Sequence, residues 1–287
     1  MQNIKLNNGL MMPQLGLGVW TIPNDKVVKN IITAVENGYR LFDTAARYEN
    51  ERGVGEAIRT CGISREEIFV TSKLSYDDLG YDATLKGFDS SLKKLGMDYI
   101  DLYLIHFPVP DKKLTIESWK ALEHIYKNEG RAKAIGVSNF KTGHLEALMQ
   151  ESNTVPAINQ IELHPTFTQE EIRKYAKEHN IIVESWSPLG GVANTQFRSK
   201  DAANSPKILE LPILAKLSEK YGKTPAQIVL RWHIELGLVV IPRSKSVEHI
   251  KANSHIFDFQ LTAAEVAEIS GLKAGYRLGP DTNLWND

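Results

Sequence analysis

Asp25–Thr44, DKVVKNIITAVENGYRLFDT, changes rhythm halfway. Up to Gly38 the apolar residues return at helical spacing, and a glycine closes the run. Beyond Arg40 the apolar residues Leu41 and Phe42 stand side by side, and the run stops at the carboxylate of Asp43. Apolar residues at successive positions suit a strand covered on both faces. Working outward, short apolar and β-branched runs recur: LGLGVW, RLFDT, IFVTSKL, IDLYLIH, AKAIGVS, AINQIEL, IIVESWS and LVVIPR. Segments of helical period separate them, among them TLKGFDSSLKKLG, which also ends in glycine. Strand and helix alternating in this way predict parallel βαβ units. Eight units in 287 residues match a closed (β/α)8 barrel, an α/β fold of the TIM type, with the whole of 1–287 as one domain.

Three segments lie outside the rhythm. IKLNNGLMMPQ carries an Asn-Gly turn between apolar flanks and predicts an N-terminal β-hairpin that closes the bottom of the barrel. GGVANTQFRSKDAANSP, after the seventh strand, has no period and predicts a long functional loop. AGYRLGPDTNLWND predicts an irregular tail. A doubly wound dinucleotide fold is the competing architecture. Gly16 and Gly18 begin its glycine fingerprint, but Thr21 occupies the third glycine position.

Composition narrows the function classes. A 42% apolar content supports a large core, and a net charge of -1 with interleaved signs gives no general affinity for nucleic acid or anionic membrane. One cysteine, Cys61, excludes an internal disulfide and suits a reducing compartment. Neither a signal peptide nor a transmembrane run stands out, so a cytoplasmic monomer acting on small molecules is expected.

In such a barrel the active site forms at the carboxyl ends of the strands. Those ends carry Asp43 with Tyr48 close behind, Lys73, His106, Ser138 and Asn139, Gln160 with Glu162 and His164, Trp186 with Ser187, and Arg243 with Ser244. Each has an ordinary explanation when taken singly. Asp43 could cap a helix, Lys73 could reach water, Gln160 could satisfy buried backbone, and His106 and Trp186 could be core residues. The barrel gathers them at one mouth, and there their chemistry is complementary. A phenol with a pKa of ~10 keeps its proton at neutral pH and can give it to an oxygen that becomes an alkoxide. An ammonium beside it stabilises the phenolate and lowers the phenol's pKa, a carboxylate holds the ammonium, and an imidazole orients a carbonyl. That set suits carbonyl reduction and lacks only a hydride donor, which a nicotinamide provides.

GYRLFDTAARYENERGVG, RAKAIGVSNF and VIPRSKSVEHI, with TSKL, DLYLIH, NQIELHP and ESWSPLG between them, resemble the motifs of the aldo-keto reductase family in order and spacing. The resemblance implies a catalytic tetrad of Asp43, Tyr48, Lys73 and His106, with NADPH as cofactor and NADH as a lesser possibility. It implies that Ser138, Asn139 and Gln160 hold the nicotinamide carboxamide and that Trp186 stacks on the ring. Gly18, Ser187, Leu189 and Gly190 would line the dinucleotide path, and the loop after Gly190 would fold over the pyrophosphate. Arg243, Ser244, His249 and Asn253 would surround the adenosine end. Trp20, Tyr48, His106 and Phe107 would face the carbonyl substrate.

The chain departs from the family pattern at several positions. Trp186 replaces a common stacking tyrosine, while Phe107 and Ser75 replace common tryptophans, so the substrate pocket is left open and roomier. His249 stands where an arginine often grips the 2′-phosphate, and Arg243 replaces a lysine with Lys245 nearby. Two other readings compete with the reductase. One is a metal-dependent barrel hydrolase built on Asp43, His106, Glu162 and His164. The other is a cofactor-binding regulatory subunit on the same fold.

Overall fold

The computed structural model describes residues 1–191 and 198–281. An antiparallel hairpin, β1 (Asn3–Lys5) and β2 (Met11–Pro13), comes first, with Asn3 opposite Pro13. Eight parallel strands follow in sequential order: β3 (Leu17–Gly18), β4 (Leu41–Asp43), β5 (Phe69–Leu74), β6 (Ile100–Ile105), β7 (Ala132–Ser138), β8 (Ile158–Glu162), β9 (Ile182–Trp186) and β10 (Val239–Val240). The ring closes between its ends. Leu15 bridges Val240, the Gly16 amide donates to the Val240 carbonyl at 2.9 Å, and the Val240 amide donates to Gln14 at 2.9 Å. All eight expected runs are strands, and the (β/α)8 reading holds.

Helices α1 (Asn24–Glu36), α2 (Glu51–Thr60), α3 (Tyr81–Leu95), α4 (Lys112–His124), α5 (Thr142–Gln150), α6 (Glu170–Glu178), α7 (Pro212–Tyr221), α8 (Pro225–Glu235), α9 (Val247–Ser254) and α10 (Ala263–Ser270) connect or follow the strands. Their ends carry local signals. Thr224 with Gln227 and Thr262 with Glu265 form capping boxes, and Gly96 ends α3 in the left-handed region.

The alternation of side chains along a strand sorts the interior. One parity, including Phe42, Val70, Tyr103, Ile135 and Ile161, packs outward against helix residues such as Val27, Phe88 and Trp119. The other parity faces the barrel axis. Low in the barrel it supplies Leu41, Phe69, Leu102, Ile158 and Val239, which the hairpin residues Leu6 and Met12 cover from below. Asn7 and Asn8 tie the hairpin turn to the carbonyls of Pro156 and Lys133. Two residues beyond Leu41 and Ile158 on the same inward parity come Asp43 and Gln160, and four beyond Phe69 comes Lys73. The upper barrel is therefore polar because the same period carries past the apolar layer. Gly16, half of the abandoned fingerprint, faces inward where a Cβ would collide with the Leu41 side chain. Its role is barrel closure.

Candidate active site

Asp43 ends β4, and a 3₁₀ turn, Ala46–Tyr48, brings Tyr48 back over the mouth. Lys73 lies on neighbouring β5 and His106 directly follows β6. Lys73 is fully buried, and its ammonium gives all three protons to the protein: to Asp43 Oδ1 at 2.6 Å, to the Thr44 carbonyl at 2.9 Å and to the Tyr48 hydroxyl oxygen at 3.3 Å. Because the phenol oxygen accepts from Lys73, its own proton is free to point elsewhere. His106 meets the Tyr48 ring edge-on, with centroids 5.7 Å apart.

Burial is the largest influence on each of the four. It would depress Lys73, but the Asp43 and Tyr48 oxygens outweigh it and hold the ammonium above its ordinary range. It raises Asp43 against the pull of Lys73 and of the Gln160 amide. It also raises Tyr48, where a lowering by Lys73 was expected from the sequence. Lys73 does pull the phenol down, but burial wins and the charge of Asp43 adds to it. His106 is lowered well below 6.5 by burial and by the cations Lys73 and Arg47, so its imidazole is neutral at pH 7. A neutral imidazole can donate one hydrogen bond to a carbonyl oxygen without competing with Tyr48 as the acid.

A cavity of about 910 Å³ opens above this cluster. Its inner wall includes Trp20, Tyr48, His106, Phe107 and Trp186, and from there it runs past Ser187, Leu189 and Gly190 toward Gly18 and Arg243. Ser138, Asn139 and Gln160 form its floor. Asn139, at φ +66, organises that floor: Nδ2 donates to the His106 carbonyl at 3.0 Å, and Oδ1 accepts from Trp186 Nε1 at 2.9 Å. It thereby fixes the indole expected to stack. Lys73 lies buried behind the wall, and three expected cofactor contacts lie outside it. Ser244 is buried and bonds the Ser246 amide, His249 is exposed in the first turn of α9, and Asn253 is buried within that helix. The cavity has the volume and the elongated path for a dinucleotide, and the cations Arg198, Lys207 and Arg243 on its wall suit phosphates. Residues 192–197, on which the expected pyrophosphate cover falls, lie outside the described residues.

Glu162 and His164 serve a different purpose from metal binding. His164 Nε2 meets Glu162 Oε1 at 3.1 Å and its Nδ1 meets Thr166. Glu162 accepts from the backbone of the C-terminal segment, Leu278 at 2.6 Å and Gly279 at 3.0 Å. Among the described residues no group of three or more His, Cys, Asp or Glu could hold a metal ion. The fully buried Glu162 thus pins the tail across the mouth, where Leu278 and Pro280 join the cavity wall. Gly279 lies so close to Trp186 that a Cβ would overlap the indole and come within 3.0 Å of Glu162 Oε2. Gly279→Ala is expected to lower stability by about 1–3 kcal/mol through overpacking and to raise the carbonyl KM as the tail lifts. Urea unfolding and steady-state kinetics check it. A change in neither would mean that the tail is not held there.

Sequence reasoning also missed Glu184, which lies in the quoted ESWS run. The only signal was an acid inside a strand expected to be buried on both faces.

A closed barrel whose mouth joins a phenol, a buried ammonium–carboxylate pair and a neutral imidazole, beside a cation-lined groove, is the architecture of a carbonyl oxidoreductase. The family model described as Aldo/keto reductase family matches residues 5–274. Methylglyoxal reductase DkgA of Escherichia coli is 46% identical over 97% of this chain and 96% of its own length. Among solved structures, an aldo/keto reductase from Brucella melitensis is 50% identical, covers 95% of this chain and 99% of its own, and superimposes with a TM-score of 0.87. A Bombyx mori aldo-keto reductase in complex with NADP is 38% identical over 96% and 94% of the two chains, with a TM-score of 0.87. The chain belongs to the aldo/keto reductase family and is an oxidoreductase.

Proposed function

We propose that this chain, a single barrel domain over 1–287, reduces small aldehydes and ketones with NADPH, with Tyr48 as proton donor and Asp43, Lys73 and His106 completing the site. The observation that carries this reading is the Lys73 ammonium, buried and shared between Asp43 Oδ1 and the Tyr48 hydroxyl. The likeness to a methylglyoxal reductase and to an NADP complex supports the substrate and the cofactor. Scattered exposed apolar side chains, such as Met11, Leu114 and Val247, favour a monomer, and the single Cys61 suits the cytoplasm.

The carbonyl oxygen would sit between the Tyr48 hydroxyl and the His106 imidazole. A nicotinamide held against Trp186 would supply the hydride that reduction of the carbonyl carbon needs. Tyr48 gives its proton to the oxygen as negative charge develops there, and the Lys73 ammonium stabilises the phenolate left behind. Asp43 keeps that ammonium in place. Ser138, Asn139 and Gln160 would hold the carboxamide, Trp186 would stack, and Gly18, Ser187, Leu189 and Gly190 would line the path to Arg243, Ser244, His249 and Asn253.

The test is NADPH oxidation with methylglyoxal, together with Arg243→Ala. The Arg243 guanidinium is exposed at the cavity's edge and gives one bond to Thr21 Oγ1 at 3.1 Å, with other donors available for a 2′-phosphate. The variant is expected to bind NADPH roughly ten- to a hundred-fold more weakly, about 1.5–3 kcal/mol, with a much smaller change for NADH. Equal losses for both cofactors in a fluorescence titration would remove Arg243 from the phosphate. No NADPH oxidation with any carbonyl would leave the regulatory-subunit reading.

A further inference from the structure

Directly beneath the tetrad lies a second carboxyl group that the reaction as described does not use. Glu184, on β9, is fully buried. Its Oε2 accepts from Gln160 Nε2 at 2.8 Å, and the same nitrogen donates to Asp43 Oδ2 at 2.8 Å. Both amide protons of Gln160 are therefore spent on carboxyl oxygens. This fixes which end of the amide faces down and leaves Gln160 Oε1 as the end turned away from both acids. Glu184 Oε1 has no hydrogen-bond partner among the described residues. A buried carboxylate normally draws a cation to itself. The nearest one, Lys73, has already committed its three protons elsewhere.

We propose that Glu184 is a positioning residue that works as a neutral acid: it locks the Gln160 amide and keeps a second negative charge away from the Asp43–Lys73–Tyr48 chain, so that its ionisation disables Tyr48 as proton donor. The proposal rests on the reductase reading above. Its electrostatics follow from the neighbours. Burial and the charge of Asp43 push the Glu184 carboxyl up to about 8, against the Gln160 bond and Lys73. Once ionised, Glu184 raises Tyr48 further, against the pull of Lys73, which weakens the acid. The groups facing it are Asp43 from β4, Lys73 from β5, Gln160 from β8 and the Tyr48 phenol. Tyr48 and Lys73 are raised above ordinary values of 10.0 and 10.5, and His106 is far below 6.5. Asp43 is raised by burial as well, but the Lys73 ammonium and the Gln160 amide pull it down, which leaves Glu184 as the group placed to titrate between pH 7 and 9.

The experiment compares kcat for methylglyoxal reduction at pH 7 and pH 9 in wild type and in Glu184→Gln, an uncharged isostere that keeps an acceptor for Gln160. The readout is the quotient of the two rates, which cancels any general loss. Wild type is expected to fall about tenfold, following an apparent pKa near 8, and Glu184→Gln to fall less than twofold. The same quotient in both proteins, or no fall in wild type, overturns the proposal. Infrared difference spectra provide a readout independent of turnover. A carboxylic C=O band should vanish as pH rises through about 8 in wild type and be missing from Glu184→Gln. If that band behaves as expected but no carbonyl is reduced, the reductase reading fails while Glu184 is still a neutral buried acid. If the band is absent at pH 6, the proposal fails whatever the activity.

Discussion

Tyr48→Phe is expected to lose roughly a hundred- to ten-thousand-fold in kcat for methylglyoxal while NADPH still binds, since the contribution of a positioned general acid is of that order. The substitution removes one oxygen and leaves the ring, so its edge-on contact with His106 at 5.7 Å survives. The loss belongs to chemistry because the Lys73 ammonium keeps its place over the ring, 4.9 Å from the centroid, and loses only the oxygen it bonds at 3.3 Å. The neutral His106 cannot take over, since its pKa lies too low for it to carry a spare proton at pH 7. Single-turnover stopped-flow measurement of NADPH oxidation, alongside a fluorescence titration of NADPH, separates the two effects. Near-normal turnover would remove Tyr48 from its assigned role, and lost cofactor binding would mean that the ring is structural.

Lys73→Met is expected to cost both stability and turnover. It leaves the Asp43 carboxylate buried without its cation, with only the Gln160 amide still donating to it, and the Thr44 carbonyl without the ammonium, and a buried charge stripped of its partner typically costs about 3–5 kcal/mol. Turnover should fall about as far as in Tyr48→Phe, because the phenolate has no cation to stabilise it. The two losses should not multiply in the double variant, since both residues serve one proton transfer. Adding Asp43→Asn to Lys73→Met should recover part of the stability, with no bare carboxylate remaining, but none of the turnover. Urea unfolding and kcat measured on the same four proteins decide the matter. Independent losses, or recovered activity, would contradict the coupled site.

The barrel was legible because its strands are covered on both faces and write themselves as near-continuous apolar runs, such as Leu102–Ile105 in β6. The gathering of Asp43, Tyr48, Lys73 and His106 at one mouth was legible because the four groups make chemical sense only together. What escaped depends on contacts between residues far apart in the chain. The tail clamp joins Glu162 to a backbone amide 116 positions later, and a backbone amide leaves no trace in sequence. Glu162 and His164 read as possible metal ligands for the same reason, since their real partners are a threonine hydroxyl and main chain. Lys73 lowers Tyr48 as its chemistry implied, but the net rise could not be read from sequence, because burial, which decides it, is a property of the assembled barrel.

Ring closure also has a consequence in time. The strand that opens the barrel waits for a partner on its free side until the last strand exists, and the Gln14 side chain finds the Leu238 carbonyl 224 positions later. At a synthesis rate of about 5–20 residues per second, the edge at β3 stands unpaired for roughly 10–45 s on every ribosome. An uncovered strand edge invites pairing with another chain. β3 is only two residues long, and the short stretch of ladder it offers limits that hazard during the wait. A nascent chain halted before Val239 would keep the open edge and also lack the Arg243 end of the groove. Such truncated products are expected to be inactive and to go to the cell's proteases.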